Sequence, residues 1–287
     1  MRLVLRVASV AVLVAAPVSH LHAQNAGKTL AIDFRTTIAV EGTPDTGLIV
    51  GHAVGTASRM RLDVSMKGAS AHVSPIADSA VTMIVTDSGK TIAYLDAKKS
   101  QYLRVRPAEM IAQAQQMGGM KMDFSETNAK VDNLGAGPVL LGHPTSHYRV
   151  ATGMTMTISA MGQQQVVKVS STNDTYYATD IAGDLNPFAS LSGGDMANMF
   201  GTTNKDFADK MKAAQAKLPK GVPLRALSSN TLVAQGQTRT TNSVADVTSL
   251  RWIPSDPKAF EIPTSYSAVQ LPGLGGSPSD GGAIPPE

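Results

Sequence analysis

Apolar and polar residues alternate one for one in short runs from Leu30 to Ile253, and a period of two commits such a chain to β-strands rather than helices. Leu30, Ile32 and Phe34 alternate with Ala31, Asp33 and Arg35. A second run follows the turn cluster 41–47. Met60, Leu62, Val64 and Met66 alternate with Arg59, Arg61, Asp63 and Ser65, a strand with one apolar and one polar face. Residues 81–87 and 91–96 flank Ser88-Gly89-Lys90 and read as a hairpin, with a further strand at 101–105. Tight turns between successive runs predict an antiparallel meander, because parallel strands need long crossovers. After the turn-rich stretch 135–144 the pattern resumes at 148–158, 166–170 and 175–180. It closes at 223–234, 238–248 and 249–253.

Three segments carry helical spacing instead. In 107–117, Pro107 suits a first helical position, Met110, Ile111, Ala114 and Met117 share a face, and Gly118-Gly119 stop it. Residues 185–199 read as a short helix broken by Gly193-Gly194. In 204–218, Thr203 and Asp206 have the spacing of a capping box, and Phe207, Met211, Ala214 and Leu218 form one face before Pro219. The expected fold is therefore α+β: a curled antiparallel sheet, a half-barrel of about ten or eleven strands, with two to three helices on its concave side.

The ends read differently from the middle. Arg2 and Arg6 precede an apolar run, and Leu21-His22-Ala23 supplies a small residue before a cut, the pattern of a signal peptide over 1–23. Residues 24–271 then form a single domain, and the Pro-, Gly- and Ser-rich 272–287 read as a disordered tail. The expected location is periplasmic or secreted. The chain has 25 Lys+Arg, 22 Asp+Glu and no cysteine. Loss of Arg2 and Arg6 leaves 23 against 22, or +1, without the clustered basic face that nucleic-acid binding needs. Absence of cysteine excludes disulfides, a thiol nucleophile and a lipidated N-terminal cysteine.

Motifs for chemistry are sparse. His143 and His147 have the spacing of a helical zinc pair, but Pro144 and the flanking glycines forbid a helix, so both read as structural. Met117, Met120 and Met122 form a thioether cluster suited to Cu(I), the alternative to methionine as an adaptable core filler. No nucleophile elbow, phosphate loop or dinucleotide fingerprint occurs, and no enzyme activity or cofactor is expected. Arg59/Arg61 and Arg104/Arg106 give a basic face that solvation explains and that also suits anionic headgroups.

Four segments carry a family resemblance: 137–148, 176–180, 221–225 and 260–266. In this order they resemble a group of exported bacterial proteins of unknown function whose half-barrel is similar to the LolA/LolB-type lipoprotein carriers. The resemblance implies an apolar pocket for a lipid-like ligand and hands over no catalytic residues. The expected function is an exported envelope protein that binds such a ligand, with Tyr148, Val150, Met154, Met156, Phe207 and Met211 as lining residues. The alternatives are a periplasmic Cu(I)-binding protein and a structural or interaction module.

Overall fold

The computed structural model describes residues 27–44, 46–68, 80–107, 109, 120–160, 163–192 and 205–269. The expected signal segment, the tail and Met117 lie outside them. The described residues form twelve strands: β1 (Lys28–Val40), β2 (Thr46–Gly55), β3 (Met60–Gly68), β4 (Ala80–Thr86), β5 (Thr91–Asp96), β6 (Gln101–Val105), β7 (Met120–Ala136), β8 (Thr145–Ala160), β9 (Gln163–Ala178), β10 (Val222–Ala234), β11 (Gln237–Pro254) and β12 (Ser267–Val269). They make one sheet in the order β12-β6-β5-β4-β3-β2-β1-β11-β10-β9-β8-β7. Two meanders, β1–β6 and β7–β11, are thus joined by the pairing of the first strand with the penultimate one.

The expected α+β half-barrel with two to three helices on its concave side is not the fold. The sheet is mixed and unclosed, with β7 and β12 as its edges, and the protein is mostly β. Among the described residues the one parallel pairing is β12 on β6. Among the described residues one helix exceeds a single turn, α1 (Lys205–Gln215), and it packs on β7. Asp206 and Lys210 fasten it there through Thr127, whose hydroxyl donates to Asp206 at 3.0 Å and whose carbonyl accepts from Lys210 at 2.9 Å. The stretch read as 185–199 holds a 3-10 turn at Gly183–Leu185 and one helical turn at Ala189–Ser192; 193–199 lie outside the described residues. Of 107–117 only Pro107 and Glu109 are described, both helical.

Bulges account for two of the misread strands, while 166–170 and 175–180 are one unbroken strand, β9. β7 reads as irregular because the ladder to β8 shifts between Ser125 and Asn128 and again between Asn133 and Gly135, which breaks the alternation. In the same way 238–248 and 249–253 are one strand, β11, bulged at Thr248 opposite Asp33/Phe34.

Among the described residues, loops and single helical turns rather than long helices cover the sheet over β1–β5. On one face Leu30, Ile32, Met60, Leu62 and Val85 are buried with Ile181, and Phe34 and Phe188 pack edge-on at 5.6 Å. On the opposite face Phe260 lies over Ala31, Val54, Ile84, Ala93 and Leu95, with Ile262 and Tyr266 beside it. Local hydrogen bonds satisfy several of the polar groups these segments bury, although the side-chain amide nitrogen of Asn186 has no partner among the described residues. Asn186 accepts from the Phe188 amide, Ser190 donates to the Pro187 carbonyl, and Asp256 caps the turn at Lys258. Among the described residues no helix is long and apolar enough to cross a membrane.

Candidate functional site

β-Register assembles a row of polar side chains on the face that carries Phe260. Asp33 pairs with His52, His52 with Asp63, Asp63 with Thr82 and Thr82 with Leu95, across β1 to β5. Directly paired residues share a face. The row lies one step beyond Ala31, Val54, Arg61, Ile84 and Ala93, most of which the C-terminal segment covers. Among the described residues the cover reaches Leu95 in this row and stops there, and an open trough of about 510 Å³ begins, lined by Asp33, His52, Asp63 and Thr82 together with Val50, Ala80 and Ala97, with buried Leu95 at its margin.

The histidine sits between two fixed carboxylates. Nδ1 of His52 is 2.5 Å from Oδ1 of Asp33, and Arg251 donates to Oδ2 of Asp33 at 2.7 Å. Arg61 grips Asp63 with both ends of its guanidinium, Nε to Oδ2 at 2.9 Å and a terminal nitrogen to Oδ1 at 3.1 Å, and Thr82 also donates to Asp63. Burial pushes the Asp33 carboxyl up, but the hydrogen bond and charge of His52, with Arg251 and Ser249, hold it below its ordinary value. Burial likewise raises Asp63, and Arg61, Thr82 and the His52 charge outweigh it and lower that carboxyl too.

A carboxylate on Nδ1 fixes both the tautomer and the ring orientation and turns Nε2 toward other partners. Among the described residues no protein group is hydrogen-bonded to Nε2 of His52, and no serine, threonine or lysine stands against it as a nucleophile would. Nor is there a group of three or more His, Asp or Glu able to hold a metal among them. What the arrangement can do is present one oriented nitrogen, flanked by two neutralised carboxylates, to a polar group lying over apolar surface.

The six expected lining residues are placed elsewhere, and none lines the trough. Tyr148, Val150, Met154 and Met156 share one face of β8, where the pairing to β9 runs without a bulge. Tyr148 meets Tyr177 edge-on at 6.2 Å and accepts from Asn133. Phe207 is buried and Met211 half-buried, one turn apart on α1. Met120 and Met122 open β7 opposite Ala160 and Ile158.

The other two described histidines also carry aspartates. His143 bonds Asp180 at 2.9 Å; His147 bonds Asp174 at 2.9 Å and stacks on Tyr176, while Arg149 takes both oxygens of Asp174. The arginines of the expected basic face are engaged. Arg59 lies over Phe260, Arg61 holds Asp63, Arg104 lies over Tyr102 and Arg106 pairs with Glu109.

Sequence reasoning passed over His52 altogether. The available signal was a histidine and two aspartates, each on an alternating strand, but only the register shows that they share a row. No family model matches the chain, and no curated protein matches it.

Proposed function

We propose that the protein is an exported binding protein for an amphipathic, lipid-like ligand, held on the open trough over β1–β5 rather than inside a half-barrel. The observation that carries this is the oriented His52 nitrogen among the apolar neighbours Val50, Ala80 and Ala97. The ligand's chain covers the apolar surface, and its head group meets Nε2. Few convergent polar groups on a largely apolar surface are what a small-molecule site requires. The N-terminal pattern of charge, apolar run and small residue supports export.

The test is mass spectrometry of lipids extracted from protein purified without detergent. Co-purifying lipid is expected, and it should fall in His52→Ala and in Ala80→Trp, which fills the trough. Recovery of no lipid, or undiminished recovery from both variants, removes the reading.

A further inference from the structure

The turn between β7 and β8 displays apolar side chains that nothing in the fold requires. Val139 is 68% exposed and Leu141 47%, while Leu140 between them packs against the main core. The turn is tight and firmly held. Leu140 and His143 exchange both backbone hydrogen bonds, at 3.0 and 2.9 Å, so that Leu141 and Gly142 alone make the reversal. Further back, the Gly137 amide donates to the Thr145 carbonyl at 2.8 Å, and the Thr145 hydroxyl donates to the Pro138 carbonyl at 2.6 Å.

Leu141 stands at φ +51° and Gly142 at +83°, left-handed positions in a two-residue reversal of the kind that favours asparagine and glycine. A leucine there opposes the backbone preference, and its side chain stays 47% exposed. An apolar residue kept at a strained and exposed position points to use rather than stability.

Two cations reach the same end of the sheet. The Thr179 amide donates to the Pro144 carbonyl, which sets the end of β9 beside the turn. Val222 pairs with Ala178, and the backbone at Gly221 is so close that a Cβ there would lie 2.2 Å from the Ala178 carbonyl oxygen. Lys217 and Lys220, just before this contact, are exposed and form no ion pair among the described residues. Asp180, next to the turn, is bonded to His143.

We infer that this turn docks the protein on an anionic lipid bilayer, with Val139 and Leu141 entering the acyl boundary and Lys217 and Lys220 meeting the headgroups. A protruding tip with a few apolar side chains and flanking lysines fits a fluid interface. This surface is separate from the trough and does not depend on what the trough binds.

The test is co-sedimentation of the full chain, expressed with its own N-terminal segment and purified from the soluble fraction. Vesicles of phosphatidylcholine with and without phosphatidylglycerol are compared. Binding is expected with phosphatidylglycerol and should weaken without it. Leu141→Asn suits the left-handed backbone, so it should keep or raise Tm while binding falls about tenfold. Val139→Ser should also weaken it, and each of Lys217→Gln and Lys220→Gln should cost about fivefold. Three results would overturn the inference: no sedimentation with phosphatidylglycerol vesicles, unchanged binding of both apolar variants, or a vesicle-free dimer that Leu141→Asn abolishes, which would assign the tip to a second copy of the chain.

Discussion

Nδ1 of His52 and Oδ1 of Asp33 meet across the β1–β2 pairing at 2.5 Å, although the residues are nineteen apart in the chain. The carboxylate that orients the ring is itself held from the other side by Arg251 on β11. The orientation of His52 therefore depends on the closure of the first strand against the penultimate one.

It follows that the neutral imidazole of His52 carries its proton on Nδ1, donated to Asp33. Nitrogen chemical shifts in the isotope-labelled protein should show that tautomer, and Asp33→Asn should shift the balance toward the other. A His52 signal unchanged by Asp33→Asn would mean that the pair does not set the ring.

Acid should destabilise the protein through the same row. Asp33 and Asp63 have carboxyls lowered from the ordinary 3.8. Depressed carboxylates contribute stability that is present above that value and lost as pH falls through their folded values. Tm should hold steady above about pH 5 and decline below about pH 4. Arg61→Gln releases Asp63, so it should lower Tm at neutral pH and flatten the acid decline. Parallel Tm curves for the two proteins would contradict this.

Phe260 closes the face opposite the main core, and Arg59 lies over its ring at 4.9 Å. Phe260→Ala should cost about 3–5 kcal/mol in urea unfolding, the usual range for a buried phenylalanine. A loss under about 1 kcal/mol would show that the C-terminal cover contributes little.

Gly51 allows the Phe34 ring to lie against β2. A Cβ at Gly51 would stand 2.2 Å from Cζ of Phe34, and Phe188 confines the ring from its edge. Gly51→Ala should destabilise by about 1–3 kcal/mol, as overpacking does. The penalty should shrink in a Phe34→Leu background. A double-mutant cycle reads that coupling, and a coupling near zero would place the strain elsewhere.

The strands with clean alternation were legible residue by residue. β1 and β3 show it from Leu30 to Phe34 and from Met60 to Met66, because a half-buried strand writes its two faces into its sequence. β7 was not legible, since two bulges shift the phase of the pattern within one strand. β11 looked like two strands for the same reason at Thr248. The helical face of Phe207, Met211 and Ala214 was legible as well, although the helix ends at Gln215 and Leu218 is buried in the bend beyond it, and the face's neighbour was not legible. Amphipathic spacing says that a face is buried and not that it is buried on β7.

The chain by itself determined that it would form β-strands, roughly where most of them run, and that a helix, α1, would precede the closing strands, because these are properties of neighbouring residues. Only the tertiary structure decided that β1 joins β11, that among the described residues loops and single helical turns cover the sheet over β1–β5, and that Asp33, His52, Asp63 and Thr82 stand in one row. Register between strands is a non-local property, and a shift of one residue would turn that row to the opposite face.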